Sequence, residues 1–267
     1  MRPDIAVLIP VYNNQEGLER SLASIDENFP LDVVVVDDGS DPPIQLRGLP
    51  QPHRGFVLRL DANTGIEHAL NYGLSWILQR GYRYVARLDA GDLCYPGRFF
   101  KQRDFLEKHQ EYALVGGQVR FVDDSGVELF PEKFPTSHEE ISRIMHARSC
   151  FIHPAVMLRS SALQEVGLYS EHFPAAEDYE LFFRLTKRYK VANLPDVVLT
   201  NHVNPRGISL TKRRRQILSR IKVMLKYFEP RYKESWLGLM KSIILLAVPV
   251  PVVQFLKRRL ARWRGWL

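Results

Sequence analysis

An α/β fold, with a mostly parallel, doubly wound sheet flanked by helices, is predicted by three observations. Strand-like and helix-like segments alternate through the first ninety residues. The strand-like segments are continuous apolar runs, as in strands covered on both faces. Four successive strand ends carry polar residues, at the place where open α/β sheets bind their ligands.

The run Ile-Ala-Val-Leu-Ile-Pro at 5–10 reads as the first buried strand. Asn13 is the expected N-cap of the following helix, with Glu16 as its capping-box partner, and Leu18, Leu22, Ile25 and Phe29 mark the apolar face. The β-branched run at 32–37 is the second strand and ends at Asp37-Asp38-Gly39-Ser40. A proline-rich loop leads to a third strand at 56–60. Asn63-Thr64-Gly65 then opens a helix with Ile66, Leu70, Leu74 and Ile77 on one face. The fourth strand, 82–88, delivers Asp89 and Asp92 around an Ala-Gly turn.

Desolvated carboxylates must be paired, hydrogen-bonded or metal-bound. An acidic turn can hold a hard divalent cation beside a substrate phosphate; a solvated Asp-Gly turn is the other reading of this stretch. In a parallel sheet Tyr12-Asn13, Asp37-Asp38, Asn63 and Asp89–Asp92 line one crevice, which predicts a ligand site. The chain has neither G-x-G-x-x-G after the first strand nor G-x-x-x-x-G-K-[ST]. A phosphate among these acids and amides therefore calls for a metal between them.

Further along, a helix is expected over 97–108 and a strand over 113–121. A hairpin turn at Asp123-Asp124-Ser125-Gly126 precedes a strand at 127–130. Ser137 and Glu140 form a capping box for a helix to about His146. His153 lies in an apolar stretch, where a lone histidine reads as a structural hydrogen-bonder. Glu177 and Asp178 enter a helix with Leu181, Leu185 and Tyr189 on one face. Spacing alone favours first-turn acids complementing the macrodipole; the alternative is a general base at the rim of the crevice. A last strand, 191–200, ends at Asn201-His202.

The ordered set Val-Leu-Ile-Pro-Val-Tyr-Asn (7–13), Val-Val-Asp-Asp-Gly-Ser (35–40), Asn63-x-Gly65, Arg-Leu-Asp-Ala-Gly-Asp (87–92), His-Pro-Ala-Val-Met (153–157) and Glu-Asp-Tyr-Glu-Leu (177–181) resembles the family 2 glycosyltransferases. The resemblance covers about residues 4–210 and implies a GT-A fold using a nucleotide-sugar donor. It implies that Pro10, Tyr12 and Asp38 hold the base, with Asn63 in the same donor site and Asp38 accepting from a uracil-type N–H. Asp89 falls beside the ribose and diphosphate. Asp92 and Asp89, with His202, fall at a divalent cation, Mn2+ or Mg2+, and Asp178 becomes the catalytic base. The family's turn is usually Asp-x-Asp-Asp; here Gly91 takes the middle acid's place. The implied activity is inverting, metal-dependent transfer of a hexose from a nucleotide-sugar, a UDP-sugar first, to a hydroxyl of a lipid-linked or surface-polysaccharide acceptor. Gly91 keeps a second reading open, a catalytically silent nucleotide-sugar-binding subunit of a polysaccharide assembly complex.

Charge divides the chain at the end of that resemblance. Residues 211–267 hold 15 Lys/Arg against 2 Asp/Glu, and residues 1–210 hold 22 against 28. The expected division is a transferase domain over 1–210 and a basic, apolar helical tail over 211–267. A basic amphipathic helix is expected over 212–228, with Ile217, Ile221, Met224, Leu225 and Phe228 on its apolar side. The apolar run 243–253 carries Pro249 and Pro251 and is shorter than the roughly 20 residues a spanning helix needs. Lys257, Arg258, Arg259, Arg262, Trp263, Arg264 and Trp266 follow it. Cations and tryptophans beside an apolar run predict an anchor on an anionic membrane surface. The alternative is a helix packed with its basic face on the acidic body. The acidic body argues against nucleic acid as a partner. Two distant cysteines and an N-terminus without signal-peptide layout point to a reducing compartment. The cytoplasmic face of the inner membrane is the expected location.

Overall fold

The computed structural model describes residues 3–123, 125–203 and 213–248. Its centre is a sheet of nine strands among the described residues, in the order β3-β2-β1-β4-β8-β6-β9-β5, with β7 paired to β6. The first half is the parallel unit expected from the alternating pattern. Strands β1 (Ile5–Val11), β2 (Asp32–Asp37), β3 (Arg54–Arg59) and β4 (Tyr84–Arg87) run parallel, in the order 3-2-1-4.

Alternate residues of these strands enter two different cores. Ala6, Leu8, Val34 and Val36 pack with helix α2 (Ile66–Gln79) on one face. Ile5, Val7, Ile9, Val33 and Val35 pack with α1 (Gln15–Ala23) and α3 (Arg98–Lys108) on the other. Both faces of β1, β2 and β4 are dry, which is why those strands read as unbroken apolar runs, whereas the edge strand β3 is only partly buried.

The second half is mixed rather than parallel. Strand β8 (Met157–Arg159) inserts antiparallel between β4 and β6 (Tyr112–Val122). Strand β6 then pairs parallel with β9 (Lys190–His202), and short strands β5 (Leu93–Cys94) and β7 (Glu128–Phe130) complete the edges. The intervening helices are α4 (His138–Ile144), α5 (Ser160–Val166) and α6 (Glu177–Arg188). Ser137 caps α4 as expected, accepting from the Glu140 amide.

The N-cap of α1 is Asn14 rather than Asn13: its Oδ1 accepts from the Gly17 amide at 3.1 Å. Asn13 has φ +49 and its side chain instead accepts from the Asp41 amide. Helix α1 also stops at Ala23, so Ile25 and Phe29 pack from the loop beyond it.

Two tail helices follow, α7 (Arg213–Lys226) and α8 (Lys233–Ala247). The first docks on α6. Glu180 accepts from Lys226 at 2.7 Å and from the Tyr227 hydroxyl at 2.8 Å, and the Tyr227 ring stacks on Phe183 at 4.4 Å between centroids. Ile217, Val223 and Met224 are buried, whereas Leu225, expected on the apolar side, is exposed. Arg213 ties the two helices together by donating to the Leu245 carbonyl at 2.8 Å. Helix α8 leaves Trp236, Leu237, Met240, Ile243 and Ile244 each more than half exposed. No helix among the described residues is long and apolar enough to cross a membrane. Pro249, Pro251 and the tail's final cationic and tryptophan cluster lie outside the described residues.

Candidate active site

A cavity of about 550 Å³ opens at the carboxyl ends of β1, β2 and β4. Pro10, Tyr12, Asp38, Asn63 and Asp89 all line it. Five positions spread over eighty residues of chain thus meet at one place, as the crevice rule for parallel sheets requires. Glu67, Pro174, Ala175 and Arg215 add walls from α2, from the loop before α6, and from α7.

Asp38 does more than face the cavity. Its Oδ1 accepts from the Thr64 amide at 2.8 Å and the Thr64 hydroxyl at 2.9 Å, and its Oδ2 from the Gly65 amide at 3.0 Å. The carboxylate therefore pins the loop that opens α2. Gly39 makes the approach possible: its φ is +73, and a Cβ there would lie 2.5 Å from the Ala62 backbone. Behind Asp38, Asp37 accepts from the Ser40 and Ile44 amides. Burial pushes its carboxyl upward, but the bonds from Ser40 and Ile44 and the Arg59 charge win and hold it below the usual range.

The acidic turn after β4 is held from both sides. On the α1 side the Ser21 hydroxyl donates to the Asp92 carbonyl at 2.8 Å and accepts from the Gly91 amide at 2.8 Å, and Asn14 Nδ2 donates to the Ala90 carbonyl at 2.9 Å. Gly91 adopts φ +115, a conformation that an aspartate side chain would strain. The glycine is thus explained by this turn's backbone.

Two fully buried arginines stand behind the turn. Arg87 donates to the Leu8 carbonyl and to Asp89 Oδ1, each at 2.5 Å. Arg98 donates to the Arg87 and Pro154 carbonyls, each at 2.8 Å. His153 Nε2 lies 2.6 Å from the Tyr169 hydroxyl and 3.3 Å from Arg87 Nε. Burial, reinforced by the Arg87 charge, drives the His153 pKa well below its ordinary value, so the ring is neutral and structural.

Asp92, His202 and Asp178 stand off the cavity wall. Asp92 is 4% exposed; both its oxygens lie 3.0 Å from Asn201 Nδ2, and Oδ1 also accepts from the His202 amide at 3.1 Å. Burial and the nearby Asp89 charge push its carboxyl up to about 8 against these bonds. The structure thus joins Asp92 to the His202 main chain. Among the described residues no three acid, histidine or cysteine side chains converge on a metal position. The donor chemistry still fits a hard cation: one carboxylate on the wall, a second immediately behind it, and remaining ligands to come from a bound diphosphate.

Asp178 lies just beyond Pro174 and Ala175, at the start of α6. Burial raises its carboxyl; the Tyr179 amide and Arg220 pull it down, and Asp89 adds to the rise. Beside it Glu177 is buried with Oε2 unbonded. Burial, then the charges of Asp178 and Glu67, push Glu177 up to about 8. Both adjacent acids are thus raised, and the Arg220 charge favours the ionised form of Asp178.

Sequence reasoning missed Asn14, Ser21, Arg98, Asn201 and Arg215. Arg98 had no motif to mark it; its role exists only because α3 crosses behind the acidic turn.

The fold and cavity define a glycosyltransferase of the GT-A class. Residues 6–167 match the family described as Glycosyl transferase family 2. The chain is 31% identical over 268 residues to the amylovoran biosynthesis glycosyltransferase AmsE of Erwinia amylovora, covering 94% of this chain and 97% of that one. It belongs to glycosyltransferase family 2. The fold is shared with the mannosyltransferase PcManGT of Pyrobaculum calidifontis, solved with GDP-Man and Mn2+, at TM-score 0.65 and 19% identity, covering all of this chain and 82% of that one. It is shared also with residues 1–349 of Staphylococcus aureus TarS, solved with UDP, at TM-score 0.60 and 18% identity over 88% of this chain and 69% of that one.

Proposed function

We propose that this chain is an inverting transferase that moves a hexose from a nucleotide-sugar, a UDP-sugar first, to a hydroxyl of a lipid-linked or surface-polysaccharide acceptor. The observation that carries the reading is the convergence of Pro10, Tyr12, Asp38, Asn63 and Asp89 on one cavity, with Asp178 near enough for its carboxyl to feel the Asp89 charge. The GDP-Man bound by one structural neighbour, the UDP bound by another and the polysaccharide named for AmsE support the donor and acceptor classes.

Asp178 accepts the acceptor's hydroxyl proton as that oxygen bonds to the anomeric carbon. The bond from that carbon to the diphosphate breaks in the same displacement, which inverts the centre. A carboxyl raised by burial is the better base near neutral pH. Asp89 and Asp92 are the residues that would hold a divalent cation, with His202 beside them. When bound, such a cation neutralises charge growing on the departing diphosphate.

The tail, 211–267, serves as the membrane-associating part at the cytoplasmic face of the inner membrane. Support comes from the exposed apolar row on α8 and from the sequence's terminal cations and tryptophans. Calorimetric titration with UDP and GDP, with and without Mn2+, tests the reading. Metal-dependent binding selective for UDP is expected. Binding of neither nucleotide would sink it and favour the catalytically silent subunit.

A further inference from the structure

The charged side chains among the described residues lining the donor cavity are acidic with one exception. Asp38, Glu67 and Asp89 are its carboxylates, and Arg215 is its one cation among the described lining residues. Asp38 already accepts from Thr64 and Gly65, and Asp89 from Arg87. Arg215 makes no hydrogen bond or ion pair with any described residue. Its neighbours on α7 are committed elsewhere. Arg213 donates to the Leu245 carbonyl, and Arg220 acts on Asp178.

The helix that carries Arg215 is fixed in place. Ile217, Val223 and Met224 are buried, and Lys226 and Tyr227 are bound to Glu180. A guanidinium on a docked helix, facing an otherwise acidic cavity, suits a doubly bonding anion. The amides of Thr64 and Gly65 are already spent on Asp38, so they do not serve that anion.

We propose that Arg215 binds the diphosphate of the donor, so that the first tail helix completes the donor site. The inference rests on reading this cavity as a nucleotide-sugar site. It gives the tail a part in donor recognition separate from any membrane contact.

The test titrates UDP and GDP into the full chain by calorimetry, in Mn2+ and in EDTA. It compares wild type with Arg215→Ala, Arg215→Gln and Arg214→Ala. For whichever nucleotide the wild type binds, both Arg215 variants are expected to lose about tenfold or more in affinity in every metal condition that supports binding. Arg214, exposed and off the cavity wall, is expected to change affinity by less than about twofold when replaced. Thermal melting of the Arg215 variants should match wild type, because no described partner is lost. Wild-type affinity in both Arg215 variants overturns the inference and leaves the donor site standing. Failure of the wild type to bind either nucleotide overturns both.

Discussion

Glu180 on α6 accepts a 2.8 Å hydrogen bond from the Tyr227 hydroxyl, which lies just past the end of α7. The same carboxylate accepts from Lys226 and from Arg184, the latter at 2.8 Å. Burial alone would raise the Glu180 pKa; Lys226, Arg184 and Tyr227 outweigh it and hold the carboxyl below the usual glutamate range. A depressed folded-state pKa contributes stability above the unfolded value and loses it as pH falls through the folded one. Glu180→Gln should therefore cost about 2 kcal/mol at neutral pH, discounted from a fully buried pair because Lys226 is half exposed. The cost should shrink on acidification below the ordinary glutamate pKa. Chemical denaturation of both proteins across that acid range checks it; a pH-independent difference would count against the ion-pair account.

Asp178→Asn should abolish sugar transfer while leaving nucleotide affinity within about twofold, since the residue stands off the cavity wall. Donor turnover and calorimetric affinity measured on one preparation separate the two effects. A matching loss of donor binding would mark Asp178 as structural.

The acid limb of the rate profile should follow the raised Asp178 carboxyl. Activity needs the ionised base, so it falls as pH drops through that pKa. Arg220 favours the ionised form, and Arg220→Ala should shift the limb to higher pH. Glu177→Gln should not move the limb to higher pH, because it removes a neighbouring carboxyl whose charge could only raise Asp178. Profiles of kcat/KM for the three proteins decide this, and an Arg220→Ala limb moving to lower pH would refute it.

Asp38→Ala releases the Thr64 and Gly65 amides and the Thr64 hydroxyl together. We expect a stability loss of about 2 kcal/mol and weaker nucleotide binding, because the loop forms part of the cavity wall. Denaturant melts and titration would show both; an unchanged melt would mean water replaces the carboxylate.

Replacing Trp236 and Ile243 with Glu should abolish binding to anionic vesicles without altering nucleotide affinity, both side chains being exposed on α8. Vesicle co-sedimentation at low and high salt reads this. Undiminished sedimentation would remove α8 from the membrane contact.

Most of the parallel half of the sheet was legible because β1, β2 and β4 are buried on both faces, as Val33 to Val36 show with no exposed surface, while the edge strand β3 is only partly buried. The convergence of Pro10, Tyr12, Asp38, Asn63 and Asp89 on one cavity was legible because parallel topology alone brings their strand ends together. The second half was harder to read. Strand β8 is three residues long and owes its antiparallel place to pairing with β4 and β6, which no local pattern announces. The misplaced cap at Asn13 came from two adjacent asparagines with equal propensity, separated only by the Asn13–Asp41 contact. Asn201 meets Asp92 from the far end of the domain, and spacing along the chain has no means of seeing such a partner.

The hold of α7 on Glu180 and Phe183 bears on how such proteins can be recombined. A transferase body and a tail exchanged between relatives at residue 211 would not be independent parts. An incoming tail would need a tyrosine and a cation in register with Glu180. Grafts lacking these should behave as incomplete proteins even where both halves come from working parents, and a seam moved downstream between α7 and α8 would still cut the Arg143–Glu234 and His146–Ser235 contacts.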